Sequence, residues 1–177
     1  MKNIAVIYHS GHGNTEHFAR LVVAGAQGVA DTEVTLLAAE TMTTNPSALL
    51  GYDGYVLGSP TYLGGVSGPF KSFMDSTGGL WRKQQLKGKL AAGFTVSALP
   101  SGDKQSTLIS MFTFAMQHGI GWPDDGYRLF EVGHFIGDRD WFDGIIESNC
   151  LFVPRWLLEQ VGGFDDSFDM AGGGYAN

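Results

Sequence analysis

The chain has 177 residues, 44% of them hydrophobic and 16% charged, and this composition excludes an ordinary disordered or collagen-like protein. A formal net charge of −7 argues against non-specific nucleic-acid binding, which needs a basic surface. Cys150 is the only cysteine, and no segment suits a signal peptide or a bilayer span, so we predict a cytoplasmic protein that binds neither nucleic acid nor membrane.

Apolar runs and helical periodicities alternate along the first 122 residues. The run at 4–8 is apolar throughout, which is typical of a strand covered on both faces. This alternation predicts an α/β fold, a doubly wound parallel sheet with helices on both faces. Strands are predicted at 4–8, 33–37, 55–57 and 90–96, and helices at 15–28, 45–50, 67–77 and 108–116.

The pattern weakens after Trp122. Residues 129–136 are a candidate fifth strand, and residues 154–161 are a candidate last helix. The chain therefore divides into a core, residues 1–122, and a divergent C-terminal segment, residues 123–177.

Three polar loops follow the first, third and fourth predicted strands, and in an open α/β sheet ligands bind at this edge. The first loop, 10–15, runs from a buried strand into a helix, and its hydroxyls and backbone N–H groups suit a phosphate. No lysine follows its glycines, and Glu16 stands where a dinucleotide-binding turn needs a third glycine. A terminal phosphate monoester fits best, although an ordinary capped turn explains the loop equally well.

The other two loops are suited to a flat ring. Residues 59–65 combine proline and glycine with Tyr62, whose ring offers an aromatic face. A plain strand–helix connection is the alternative. Residues 97–103 offer small side chains and free N–H groups, and a helix entry capped by Ser101 or Asp103 is the alternative there.

Taken together, these loops resemble the flavodoxin-like flavoproteins, above all the WrbA family of NAD(P)H:quinone oxidoreductases. The resemblance covers residues 1–122 and is carried by 8–15, 58–64, 70–81 and 87–119. It implies a sheet in the order 2-1-3-4-5, FMN as cofactor and NADH or NADPH as electron donor. It also implies a quinone-like acceptor and a homodimer or homotetramer.

The resemblance further implies individual site residues. Tyr62 and His118 take catalytic positions, and His118 and Trp81 line the substrate pocket, Trp81 from a neighbouring subunit of the family's tetramer. By the same resemblance, the FMN phosphate is bound by Ser10, His12, Gly13, Asn14 and Thr15. The flavin ring is contacted by Pro60, Thr61, Tyr62, Leu63 and Gly64, and its polar edge and the ribityl chain by Ser97, Ala98 and Gly102.

Other interpretations remain open at this stage. A one-electron carrier would use the same flavin without its own substrate turnover, and a scaffold with lost flavin affinity would use none. Residues 149–168 resemble a short segment of family-2 glycosyltransferases, which leaves a transferase-related piece as a further alternative. The histidines lack cysteine or carboxylate partners at ligand spacing, so no metal site is predicted.

Overall fold

A parallel sheet organises the computed structural model, which describes residues 1–98 and 103–121. The described strands are β1 (Lys2–Tyr8), β2 (Thr32–Ala38), β3 (Gly54–Tyr62), β4 (Gly65–Val66) and β5 (Leu90–Val96). The described helices are α1 (Asn14–Gln27), α2 (Ala39–Thr44), α3 (Gly68–Ser76), α4 (Gly78–Arg82) and α5 (Lys104–Gln117), with a 3₁₀ turn at Pro46–Gly51. None of these helices has the length and apolar character needed to cross a membrane.

The four long strands are parallel and lie in the order β2-β1-β3-β5. At the centre of the sheet, Val6 of β1 pairs with Leu36 of β2 on one side and with Val56 of β3 on the other. The predicted fold class is confirmed, and these strands follow the predicted order 2-1-3-4. The predicted fifth strand at 129–136 and last helix at 154–161 lie outside the described residues.

Alternate side chains of β1 enter two separate cores, because helices cover both faces of the sheet. Ala5 and Ile7 face one core and Val6 faces the other, and all three are fully buried. This explains why β1 is an unbroken apolar run. The larger core includes Met42, Leu49, Leu57, Phe70, Phe73, Leu80, Leu108 and Met111, and the α1 core includes Ala19, Phe94, Phe18, Val22 and Val56.

Local geometry differs from the sequence prediction at three places. A two-residue turn of positive φ, Leu63 (48°) and Gly64 (78°), folds the chain back from β3 into β4, a strand that was not predicted. The short helix α2 was also missed. The glycines at 78–79 follow the end of α3 as expected, but they open α4 instead of leading into a loop.

Candidate functional site

The carboxyl ends of β1, β3 and β5 meet at one edge of the sheet. Tyr8 pairs with Gly58, which in turn pairs with Phe94, so the residues that follow these positions emerge side by side. The structure therefore brings together the predicted residues of all three loops that it describes. They are Ser10, His12, Gly13, Asn14, Thr15, Pro60, Thr61, Tyr62, Leu63, Gly64, Ser97 and Ala98, whereas Gly102 lies outside the described residues.

The first loop presents unused hydrogen-bond donors. Gly13 precedes α1 in the left-handed conformation, with φ of 87°, and no side chain in the described part of the chain caps this helix. The first N–H groups of α1 have no partner within the helix and lie at the positive end of its dipole. The Ser10 hydroxyl accepts the N–H of Gly13 at 3.0 Å, which leaves its own hydrogen for a ligand. This neutral donor set fits a phosphate monoester.

A carboxylate in the first turn of α1 is neutralised within the helix. Glu16 Oε1 accepts from Arg20 Nη2 at 2.6 Å and from Arg20 Nε at 3.1 Å. Hydrogen bonding and charge attraction to Glu16 raise the pKa of Arg20, so the guanidinium stays charged. The pair therefore limits the repulsion that Glu16 would otherwise exert on an anion at this helix end.

A chain of hydroxyls lies beneath the second loop, and its direction can be assigned. Thr95 donates to the carbonyl of Ser59 at 2.7 Å, so it accepts from Thr61, whose Oγ1 lies 2.8 Å away. Thr61 has then used its hydrogen and accepts from Thr107 at 2.8 Å. All three threonines are buried. The Thr61 hydroxyl therefore ties β3 to β5 and α5 and is not free to donate to a ligand, which leaves the backbone of this residue for that purpose.

The tip of the second loop is open to solvent and leans over the first loop. Leu63 is fully exposed at its positive φ, and Tyr62 is 42% exposed. A Cβ placed on Gly11 would lie 2.6 Å from the Tyr62 hydroxyl, so the tyrosine ring reaches across to the phosphate loop. Pro60 is buried, so Tyr62 and Leu63 provide the apolar surface at this edge.

At the end of β5, a lysine from the next helix lies beside the third loop. Lys104 Nζ donates to Ser97 Oγ at 3.1 Å, and the contact is partly buried. Asp103 occupies the N-cap position of α5 with φ of 53°, and its side chain makes no capping hydrogen bond. Asp103 therefore stands at a predicted cap position without capping the helix through its carboxylate, and Ser101, the other candidate, lies outside the described residues.

His118 lies at the opposite edge of the sheet. It follows α5, next to Gly119 and Gly121, which bond to the segment that opens β5. His118 is 2% exposed, and burial lowers its pKa. Within one chain it does not share an edge with the loops, because α5 runs antiparallel to β5 and separates the two ends.

The proton arrangement at His118 follows from its neighbour. Thr77 Oγ1 donates to the carbonyl of Met74 at 2.6 Å, so it accepts from His118 Nε2 at 2.9 Å. The neutral ring then carries a lone pair on Nδ1, which has no partner among the described residues. Trp81 lies near the same edge and is 46% exposed. The Gln84 side-chain amide donates to the carbonyl of Trp81 and to that of Gln117, and so links this segment to the end of α5.

Buried polar residues that were not predicted as site residues hold the loops in place. Ser59 and Ser67 are fully buried, and Ser67 donates its N–H to the Ser59 hydroxyl. His9 is 9% exposed and lies between the Ser67 hydroxyl and the Glu40 carboxylate. Ser67 occupies the N-cap position of α3 but makes no capping bond, because its hydroxyl faces His9 and Ser59. Within residues 1–98 and 103–121, no three His, Cys, Asp or Glu side chains form a metal site.

Comparison with known proteins identifies the family. The NADPH-dependent FMN reductase family matches residues 3–124, which is more than half of the chain. The chain belongs to this family. Nothing in the comparisons supports the resemblance of residues 149–168 to a glycosyltransferase segment.

Individual relatives agree with this assignment. An NAD(P)H dehydrogenase (quinone) of Archaeoglobus fulgidus is 35% identical over 186 residues, covering 91% of this chain and 96% of the relative. Another, from Chromohalobacter salexigens, is 34% identical over 159 residues, covering 77% and 79%. The solved structure of a WrbA-like flavodoxin protein from Agrobacterium tumefaciens superposes with a TM-score of 0.63 at 37% identity, covering 72% of this chain and 80% of that one.

Proposed function

We propose that this FMN reductase family member belongs to its WrbA-like branch and transfers two electrons from NADH or NADPH to a quinone through bound FMN. The relatives named NAD(P)H dehydrogenase (quinone) support the donor and the acceptor. The observation that carries the proposal is the uncapped start of α1, with Gly13 and the free hydrogen of Ser10, at the same edge as the second and third loops. The start of α1 would hold the phosphate of a mononucleotide at this edge, and the loops that follow β3 and β5 would hold its ring.

Bound FMN supplies the hydride-transfer chemistry. The protein's part is to hold the phosphate with Ser10, His12, Gly13, Asn14 and Thr15, which offer hydroxyl, imidazole and backbone donors. These donors suit a phosphate monoester, because the N–H groups at the start of α1 and the positive end of its dipole favour an anion there.

The second and third loops hold the ring. The buried threonine chain keeps the second loop at a set distance from α5, so the backbone of Pro60, Thr61 and Gly64 is presented rigidly. Leu63 and Tyr62 form the apolar wall against which the nicotinamide and the quinone stack in turn, and Tyr62 takes its proposed catalytic position there. Ser97, Ala98 and Gly102 would line the ring's other edge, where the Lys104 ammonium, which donates to Ser97 Oγ, would favour negative charge.

Trp81 and His118 enter the proposal through a second copy of the chain. Both lie at the edge opposite the loops, so neither reaches a cofactor bound to its own chain. We place them in the substrate pocket of a neighbouring subunit, in a homodimer or homotetramer. The exposed indole of Trp81 would pack on the acceptor, and the buried ring of His118 would support the wall of this pocket through its hydrogen bond to Thr77.

Two further expectations belong to this proposal. We assign FMN binding to residues 1–122 and completion of the fold to residues 123–177; the alignment with the archaeal relative, which covers 91% of the chain, extends into the latter. We place the protein in the cytoplasm, where nicotinamide donors are available and a lone cysteine stays reduced.

The deciding experiment is an anaerobic absorbance spectrum of the purified protein after titration with FMN. Addition of NADH or NADPH should bleach the flavin band, and benzoquinone should restore it over repeated cycles. Bound FMN that neither donor reduces would contradict the enzyme and favour a one-electron carrier. Protein that binds no FMN would leave only the scaffold interpretation.

The role given to Trp81 has a separate test. Light scattering coupled to size-exclusion chromatography should show a dimer or tetramer. Replacing Trp81 with alanine should raise the quinone KM while leaving the Kd for FMN unchanged. A monomer that turns over quinone at the full rate would contradict the shared pocket.

A further inference from the structure

His9 is a buried titratable group to which the proposed reaction gives no task. It directly follows β1 and directly precedes the phosphate loop, and its backbone N–H donates to the carbonyl of Gly58 at 3.0 Å. Its side chain is 9% exposed. Burying a histidine is costly unless its ring nitrogens are satisfied, so the partners of this ring show what it holds together.

Three separate segments meet at the imidazole. Nδ1 lies 2.8 Å from the hydroxyl of Ser67, the residue that ends the second loop and precedes α3. Nε2 faces Glu40 of α2, with 3.5 Å between Nε2 and Oε1. Ser67 in turn donates its N–H to the hydroxyl of Ser59, 3.0 Å away, at the start of the second loop. The His9 imidazole thus connects the start of the first loop, residues 10–15 (the phosphate loop), to both ends of the second loop, residues 59–65 (the ring loop).

A chain of buried hydroxyls holds the imidazole. Ser67 Oγ lies 2.8 Å from Nδ1, and Ser59 Oγ, which also contacts the carbonyl of Pro60 at 2.9 Å, lies 3.3 Å from Ser67 Oγ. Both serines are fully buried, so they shield this contact from solvent, and the contact suits a structural linkage better than an acid–base step.

We propose that His9 is a positioning residue that sets the separation between the phosphate loop and the ring loop, so that one FMN molecule engages both at once. The inference rests on the proposed function. When two subsites are held at the right spacing, the two halves of a ligand reinforce each other, and the linked ligand binds far more tightly than either half. Loss of the spacing removes that reinforcement and leaves each subsite intact.

The test compares FMN with its two halves, riboflavin and inorganic phosphate, as separate ligands. His9→Phe keeps a ring of similar shape and removes both polar contacts. We expect its Kd for FMN to rise about tenfold or more, with the Kd for riboflavin and for phosphate within about twofold of wild type. Fluorescence quenching reports the flavins, and calorimetry reports phosphate.

Matched variants separate positioning from general damage to the fold. Ser67→Ala removes the partner of Nδ1 and should reproduce the effect. His9→Asn, which places an amide near the Nδ1 position, should restore much of the FMN affinity, and His17→Phe on the exposed face of α1 should change nothing. Thermal melts of each variant identify any that fail to fold, and Ser67→Ala then decides the question.

Each result has a definite meaning. Equal weakening of FMN, riboflavin and phosphate, or no change in FMN affinity for either His9→Phe or Ser67→Ala, would overturn the positioning role. Wild-type protein that binds no FMN would instead remove the proposed function, and this inference with it. Selective loss of FMN affinity together with rescue by asparagine would support it, because simple destabilisation weakens all three ligands.

Discussion

Gly58 lies in the middle of the sheet, and a single methyl group added there meets the ring of Phe94. An ideal Cβ on Gly58 would lie 2.3 Å from Phe94 Cζ, 2.6 Å from Cε1 and 2.9 Å from Cε2. Carbon atoms in contact prefer about 3.5–4.0 Å, so the ring or the strand must move by more than about 1 Å. Phe94 is 4% exposed and packs in the α1 core, so the ring is already surrounded.

The size of the effect follows from two opposing terms. Overpacking of a close-packed core costs about 1–3 kcal/mol, and sometimes more. Loss of glycine's freedom in the unfolded chain returns about 0.4–1 kcal/mol. Because the added Cβ would lie within 3 Å of three ring atoms, the cost belongs at the upper end of its range, about 2–3 kcal/mol. We therefore expect Gly58→Ala to lower the free energy of unfolding by about 1–2.5 kcal/mol, which for a chain of this length corresponds to a fall in Tm of roughly 2–10 °C.

Urea unfolding followed by circular dichroism measures this change, with Gly51→Ala as the matched control. Gly51 is exposed, and a Cβ there would have no atom within 4 Å, so its variant should keep only the unfolded-state gain and be more stable than wild type by about 0.4–1 kcal/mol. The double variant Gly58→Ala with Phe94→Leu should be more stable than the sum of the two single changes predicts, because the smaller side chain relieves the contact. Wild-type stability for Gly58→Ala, or simple additivity in the double variant, would refute the packing argument.

Three further changes test other parts of the structure. Lys89 donates to three backbone carbonyls around the end of the 3₁₀ turn, so Lys89→Met should lower the free energy of unfolding by about 1–3 kcal/mol in urea, and an unchanged midpoint would contradict this. Leu63→Asn should raise the free energy of unfolding by about 0.5–1 kcal/mol, because asparagine tolerates positive φ and removal of the exposed leucine loses no packing. A less stable variant would show that the leucine makes a structural contact. Burial lowers the pKa of His118 in the folded state below its ordinary 6.5. As pH falls, the histidine of the unfolded chain is therefore protonated first, and the stability contributed by the neutral buried ring is lost as pH falls through and below 6.5. The stability difference between wild type and His118→Gln should therefore shrink on the acid side, and a difference independent of pH would contradict the assignment of a neutral buried ring.

The amino-acid sequence by itself determined the order of the main elements. The apolar run of β1 and the helical spacing after it are local patterns, set by which side of a strand or helix must be buried. The alternation of strands and helices leaves few topologies, so a parallel sheet and the meeting of three loops at one edge follow without coordinates, whereas the strand order came from the family resemblance. The polar residues of those loops were found for the same reason, since each stands directly after a recognisable strand.

Only the tertiary structure decided what the polar side chains do. His9 and Ser67 are 58 positions apart, and Thr61 and Thr107 are 46 apart, so no local pattern links them. Thr61 illustrates the consequence: it stands in the predicted ring loop, yet its hydroxyl is used by Thr95 and Thr107. Hydrogen-bond partners across a sheet depend on strand register and helix packing to within about 0.5 Å, a precision that hydrophobic periodicity does not contain.

The position of His118 depended on the tertiary structure in the same way. The sequence placed it at the end of a helix, and the family resemblance placed it at the flavin. The fold shows that this helix end lies at the far edge of its own sheet, because a helix that follows a parallel strand must return to the start of the next strand. Periodicity determines which face of an element is buried, but the direction of packing determines which ends meet, and this is why the loops were predictable while the distances between functional groups were not.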